Sequence, residues 1–152
     1  MRSWSWRSFQ ELSPDELYEI LRLRAVVFVV EQQCAYLDMD GADRRAHHLF
    51  SRASDGSVEG YLRVLAPGVR YKEPSIGRVV SHPALRRSGL GMELMREGIR
   101  RTRLEYPGTG IRINAQHRLE EFYRKLDFVT VSDPYELDGI EHVEMLLSAN
   151  EG

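Results

Sequence analysis

The stretch from Ile76 to Tyr106 constrains the fold more than any other part of the chain. It opens as an apolar, largely β-branched run, Ile76-Gly77-Arg78-Val79-Val80-Ser81. It passes through His82-Pro83-Ala84-Leu85 into Arg86-Arg87-Ser88-Gly89-Leu90-Gly91 and continues as a helical pattern. β-Branched side chains favour an extended strand, and Pro83 removes a backbone donor and stops the ladder. Gly91, Leu94, Met95, Gly98, Ile99 and Thr102 then recur at the 3.6-residue period, with Glu93, Arg96, Glu97, Arg100 and Arg103 opposite. The unit is strand, glycine turn, helix. A helix start carries unpaired N–H groups and a positive dipole end, and Arg86 and Arg87 add charge there, so the turn is suited to a phosphate.

Spacing narrows the kind of phosphate ligand. A Walker loop needs Lys-Ser/Thr at the helix start, which is absent, and Leu94 stands where a dinucleotide fingerprint needs its third glycine. With 152 residues and no linker-like stretch, the chain is expected to form one domain, 1–152. A net charge of -2 gives no bulk attraction to nucleic acid or to an anionic membrane. Cys34 is the one cysteine, so no intrachain disulfide forms, and no apolar run reaches membrane-spanning or signal-peptide form. A cytoplasmic protein is expected.

Ahead of the central unit, Trp4-Ser5-Trp6-Arg7-Ser8-Phe9 alternates so that three aromatics share one face of a first strand. Ser13-Pro14-Asp15-Glu16 reads as a capping box with Pro at the first helical position, and Leu17, Ile20, Leu21, Val27 and Phe28 form the stripe that follows. Arg24 and Glu31 fall on the same stripe. Either both charges face the core side and need partners there, or the run Val26, Val27, Val29, Val30 ends the helix early and frees Glu31 to solvent. Asp38, Asp40 and Asp43 around Gly41 do not meet a calcium loop's needs, because Ala42 and Leu49 occupy ligand positions; a capped polar turn or short helix is expected. His47 and His48 face opposite sides of a strand and cannot chelate one ion. Strands His47–Ser51 and Val58–Leu65 are joined by a turn at Asp55-Gly56. After the central helix come a strand, Ile111–Ala115, and a helical face of Leu119, Phe122, Tyr123 and Leu126, with exposed pairs Glu120/Arg124 and Glu121/Lys125. A strand Phe128–Val131, a turn at Asp138-Gly139 and a last strand His142–Leu147 complete the order β-α-(α)-β-β-β-α-β-α-β-β. It predicts an α/β (α+β) fold, a mixed sheet with helices on both faces.

Arg86-x-x-Gly89-x-Gly91 directly after a strand resembles the acyl-CoA pyrophosphate loop of the GNAT superfamily of N-acetyltransferases. Gln116-x-x-Leu119-x-x-Phe122-Tyr123-x-x-x-Asp127-Phe128 resembles the superfamily's later motif, in which Asn stands at the place of Gln116 and Gly at that of Asp127. Leu23-Arg24-x-x-Val27-Phe28-Val29-Val30-Glu31-Gln32-x-Cys34-x-Tyr36, the aspartates after it, Ile76 to Val80 and Asp138-Gly139-Ile140-x-His142 are similar to the ElaA-like branch. These motifs cover nearly the whole chain and imply a GNAT-like, mostly antiparallel central sheet. Three departures bear on function. Gln116 puts the pantetheine contact of the usual Asn in question, Asp127 takes a position that often needs left-handed backbone, and the central strand lacks the Glu that many relatives use as general base. Asp tolerates a left-handed conformation better than most residues.

The resemblance implies transfer of an acetyl group from acetyl-CoA, a cosubstrate, to an amine by direct attack in a ternary complex, without a metal. In the family, the strand before the loop splays from its neighbour, and its freed N–H groups hold the thioester carbonyl and pantetheine; here these belong to Val79 and Ser81, with Val80 between them. The N–H nearest the carbonyl stabilises the developing oxyanion. The pyrophosphate falls to Arg87, Ser88, Gly89, Gly91 and Met92, with Arg86 adding charge, and Gln116 faces the pantetheine arm. Tyr123 matches the family tyrosine beside the CoA sulfur and is the candidate general acid; the alternative is a core tyrosine. Glu31 borders the acceptor side, where a carboxylate could attract an ammonium, and His142, or more weakly His47, could take its proton. The alternatives there are a Glu31–Arg24 ion pair and two ordinary strand histidines. Two other functions compete: a non-catalytic acyl-CoA-binding module, and a nucleic-acid-binding domain on Arg86, Arg87, Arg96, Arg100 and Arg103, which lacks interleaved aromatics. The acceptor stays open among small amines, aminoglycoside-like compounds, peptide N-termini and protein lysines. A homodimer is in keeping with the family.

Overall fold

The first helix begins where the capping box places it. In a computed structural model, which describes residues 2–149, the Ser13 hydroxyl accepts from the Glu16 N–H at 3.0 Å and the Glu16 carboxylate accepts from the Ser13 N–H at 2.8 Å. Helix α1 then runs Pro14–Arg24 and passes directly into a π-helical segment, Ala25–Glu31. Met1 and residues 150–152 of the expected domain lie outside the described residues.

Eight strands form one sheet: β1 Ser5–Ser8, β2 Ala46–Arg52, β3 Val58–Leu65, β4 Ser75–Ser81, β5 Ile111–Gln116, β6 Val129–Thr130, β7 Tyr135–Leu137 and β8 Ile140–Leu147. The order across the sheet is β1-β2-β3-β4-β5-β8-β6, with β7 pairing to the start of β8. Among the described residues β4–β5 is the one parallel pair. Helix α2, Leu90–Glu105, covers one face and α1 the other. Adjacent strand residues show the division: Leu62 packs with Leu94 and Met95 beneath α2, whereas Tyr61 packs with Ile20 and Leu23 beneath α1. The α2 side is close enough to need glycine. A Cβ on Gly98 would lie 2.6 Å from Leu62 Cδ2.

Several sequence expectations are corrected. Phe9 leaves β1 and opens a 3-10 turn, Phe9–Glu11, and period-2 alternation puts only Trp4 and Trp6 on one face, so the expected third aromatic does not join them. The helix carrying Tyr123 is only a 3-10 turn, His117–Leu119, followed by α3, Glu120–Arg124. Strand β7 was not expected at all. Glu121 pairs with Arg124 instead of Lys125. The single stripe through Arg24 and Glu31 is broken by the π segment: i→i+5 bonding turns each residue through less than the roughly 100° of an α-helix, so Glu31 leaves the face that Arg24 occupies. Arg24 is fully buried and Glu31 is exposed. Asp127 adopts φ +72°, the left-handed conformation expected after that helix.

Candidate active site

The site begins with two irregularities in β4. Tyr61 opposes Val80 but Arg63 opposes Gly77, so Leu62 faces two residues, Arg78 and Val79. Arg78 takes up the extra residue at φ +51°. Such a bulge bends the strand and locally interrupts its ladder. On the other edge, β4 registers with β5 only at Ser75 and Arg112. Beyond that point the two strands part, and a cleft of about 560 Å³ opens between them, within the range of small-molecule sites.

The loop at the end of β4 fits an anion. Arg87 and Gly89 are both left-handed, at φ +64° and +86°. Between Arg87 and Met92 only the Leu90 N–H finds a partner among the described residues, the Ser88 hydroxyl at 3.3 Å. The N–H groups of Arg87, Ser88, Gly89, Gly91 and Met92 are thus free at the start of a sixteen-residue helix. Of these residues Gly91 lines the cleft, whereas Gly89 and Met92 border a shallower hollow with Trp4 and Arg100. The loop forms the outer rim.

Three side chains named from the sequence meet inside the cleft. Tyr123 is only 6% exposed, edge-on to Phe122 and Phe128, yet it lines the cleft and its hydroxyl has no partner among the described residues. Desolvation pushes its pKa up to about 12, so it carries its proton throughout the neutral range. His142 pairs with Gln116 across β5–β8 and with Tyr135 across β7–β8. Its Nδ1 lies 2.7 Å from the Ile140 carbonyl, which can only accept; Nδ1 therefore carries a hydrogen, and in the neutral ring Nε2 is the accepting nitrogen. Gln116 Oε1 accepts from Arg118 Nε at 3.1 Å, and its amide reaches Gln32 at 3.4 Å. His47 is elsewhere, stacked on Trp6 at 4.9 Å and 3.5 Å from Glu105.

Glu31 also lines the cleft, but it pairs with Arg86 and not with Arg24. The hydrogen bond and charge of Arg86 hold its carboxyl below the usual range, so it stays ionised. The contact ties the π segment to the loop between β4 and α2. Arg24 instead meets Asp38 and Asp43, each at 2.8 Å. Arg63, equally buried, bonds Asp40 at 2.6 Å and Asp43 at 3.1 Å. Arg78 reaches Asp38 at 2.7 Å and stacks over Tyr36. The aspartates around Gly41 are therefore counter-ions to arginines, and Ala42–Arg45 forms the short helix expected there. Sequence reasoning missed Arg63, Arg70, Arg78 and Arg118 as cleft-lining groups. A usable signal was available: three aspartates in six residues need cations nearby if they are folded inside, and Arg63 and Arg78 both interrupt apolar strands.

A bulged strand splayed from a parallel neighbour, with an anion loop at its end and a buried tyrosine facing it, matches the family anticipated from the motifs. The chain belongs to the GNAT acetyltransferase family, whose acetyltransferase (GNAT) domain matches residues 12–149. It is similar to protein ElaA of Escherichia coli, 36% identical over 147 residues and 95% of each chain, and to a Synechocystis protein, 44% identical over 144 residues, 95% of this chain and 94% of the relative. Among solved structures, an acyl-CoA N-acyltransferase from Pseudomonas aeruginosa superposes with a TM-score of 0.92 at 37% identity, covering 97% of this chain and 100% of the other. Escherichia coli ElaA superposes at 0.91 and 34%, with the same coverage.

Proposed function

We propose that the protein is a cytoplasmic, acetyl-CoA-dependent N-acetyltransferase, residues 1–152 acting as one domain, that moves an acetyl group to an amine by direct attack in a ternary complex. The observation that carries this reading is the meeting, in one cleft, of an anion loop with free N–H groups, an unpartnered buried phenol and a histidine nitrogen free to accept a proton. Acetyl-CoA supplies an activated acyl group and a thiolate leaving group. Everything else falls to the chain. The His82 N–H bonds Glu59 of β3 at 2.7 Å, so by strand alternation the Ser81 N–H points away from β3 towards the cleft, and Val79 lies in the bulge, where the ladder to β3 is interrupted. Their N–H groups are assigned to the thioester carbonyl and the pantetheine chain, with Val80 anchoring the strand between them through its buried side chain. The loop N–H groups take the pyrophosphate, and Gln116 borders the arm.

His142 Nε2 receives the amine's proton, directly or through one water, as the new C–N bond forms and the C–S bond breaks. Sulfur leaves with the bonding pair, and the Tyr123 hydroxyl donates to it. Glu31 becomes available to an acceptor ammonium when pyrophosphate competes for Arg86. The family membership and the acyl-CoA N-acyltransferase likeness support this reading; the acetyl donor and the mechanism are our assignment. Incubation of the purified protein with acetyl-CoA and a mixed pool of amines, reading released thiol and acetylated product by mass, tests it. Tight CoA binding without amine-dependent thiol release would instead identify a non-catalytic acyl-CoA-binding module.

A further inference from the structure

The acceptor end of the cleft has an unusual charge pattern. Seven charged residues line the cleft, and five are arginines: Arg63, Arg70, Arg78, Arg86 and Arg118, against Glu31 and Asp138. Glu31 is occupied by Arg86 at the loop end. Towards Ser75 the lining is cationic, and the carboxylates there stand behind the arginines instead of between them and the cavity. Four guanidiniums, Arg24, Arg63, Arg70 and Arg78, share three carboxylates, Asp38, Asp40 and Asp43. Arg112 is matched separately by Glu73 and Glu144, outside the lining.

One oxygen is overcommitted. Asp40 Oδ2 receives Arg63 at 2.6 Å, Arg70 at 3.2 Å and Arg78 at 3.4 Å, three guanidiniums on an atom with two lone pairs. Arg63 Nε is buried without a hydrogen-bond partner among the described residues. Arg70, its side chain 42% exposed, has that long contact to Asp40 as its one ion pair, so most of its five donors are unused. Arg78 adjoins Val79, the residue assigned to the thioester carbonyl. A second carboxylate presented at this point would relieve the shared oxygen and meet a planar fork suited to it.

From this geometry we infer that the acceptor is an amine that itself carries a carboxylate, an amino acid or short peptide, held by Arg70 and Arg78 while its amino group reaches the acetyl carbon. The inference rests on the acetyltransferase reading and narrows it. A polycationic acceptor such as an aminoglycoside would meet the cationic lining of Arg70 and Arg78 and is disfavoured. The short path from Arg78 to Val79 favours a carboxylate close to the amine.

The test compares matched acceptors: L-amino acids, their carboxamides and the amines lacking the carboxyl carbon. Each is titrated calorimetrically into the CoA-saturated protein and assayed for acetyl transfer from acetyl-CoA. The acids should bind at least tenfold more tightly and show at least tenfold higher kcat/KM. Amidation lowers the pKa of the amine and leaves more of it neutral, so a preference for the acids runs against intrinsic reactivity. Arg70→Gln should abolish the preference with acetyl-CoA KM unchanged, and Arg70→Lys should restore part of it. Acids that bind without being acetylated would support the carboxylate site while refuting acetyl transfer. Transfer to amides and simple amines at rates equal to the acids, or binding of none of the three series, would overturn the inference.

Discussion

Replacing Tyr123 by Phe keeps the ring, its contacts with Phe122 and Phe128, and its burial, and removes one hydroxyl that has no partner among the described residues. Stability should change by no more than about 0.5 kcal/mol, the scale of a substitution that breaks no internal contact. The catalytic effect follows from the pKa. A phenol at about 12 facing a thiolate of ordinary pKa near 8.5 is a reluctant acid: complete transfer runs uphill by roughly 3.5 units, about 5 kcal/mol. The hydroxyl therefore acts chiefly as a hydrogen-bond donor to charge building on sulfur, an interaction worth about 1.5–3 kcal/mol. That converts to a fall in kcat of roughly 10- to 150-fold. The acetyl-CoA Kd should stay near its native value, because the contact strengthens only as the bond breaks. Steady-state thiol release with a saturating acceptor, together with calorimetric CoA binding and a urea melt, separates the possibilities. Native kcat in a folded Tyr123→Phe protein would refute the reasoning, and a matching loss of CoA affinity would relocate the hydroxyl's role to binding.

Gly89→Val forces a β-branched residue into φ +86°, although no protein atom would touch its Cβ; we expect a stability loss of roughly 1–2 kcal/mol and at least a tenfold rise in the CoA Kd, measured by calorimetry. Unchanged CoA affinity in the folded variant would remove the loop assignment. Glu31→Gln should raise the acceptor KM severalfold while acetyl-CoA KM stays level or falls as Arg86 is released, and steady-state kinetics varying each substrate in turn decide it; a change confined to a raised acetyl-CoA KM would count against an acceptor role. Asp43→Asn leaves Arg24 and Arg63 short of a buried counter-ion and should cost about 3–5 kcal/mol in urea unfolding. Burial raises the Asp43 pKa, but hydrogen bonds and charge from Arg24 and Arg63 outweigh it and the net shift is downward from 3.8. A depressed folded pKa stabilises fully above the unfolded value and is lost as pH falls through the folded one, so the native protein should lose stability below about pH 3.8 and the variant should lose less over that range.

The parts of the fold legible in the sequence are those whose cause is local. The capping box at Ser13, the strand ending before Pro83, the glycine loop and the α2 stripe each follow from residues within a few positions of one another, and each lies where the sequence reading puts it. The π segment was not legible, because the period of its valines is compatible with an α-helix over so few residues. Strand β7 was hidden for a different reason. Tyr135–Leu137 is three residues long and largely exposed, and it exists because β8 offers an edge and Tyr135 can bond Asn114 and stack on His142. Asn114 lies 21 residues away, whereas β8 and His142 follow directly across the Asp138-Gly139 turn, so part of this signal was local.

The same distinction separates the loop and Tyr123, which the sequence reading names, from the cationic end of the cleft, which it does not. Backbone donors at a helix start and a tyrosine at fixed spacing after β5 are properties of contiguous segments, and their chemistry travels with the segment. The cationic floor is assembled from Arg24 on α1, Arg63 on β3, Arg78 on a β4 bulge and aspartates in the loop between α1 and β2. No window of sequence contains it. Asp38, Asp40 and Asp43 taken alone fit a polar turn, a failed metal loop or a set of counter-ions, and only the positions of the arginines separate these. The placement of Arg24 also gives the π segment a consequence for the site. Had Ala25–Glu31 continued as α-helix, Glu31 would share the buried face with Arg24, about two turns further along the axis. By turning Glu31 outward to Arg86, the π segment puts that charge beside the loop between β4 and α2, while at the other end of the cleft four guanidiniums share three carboxylates.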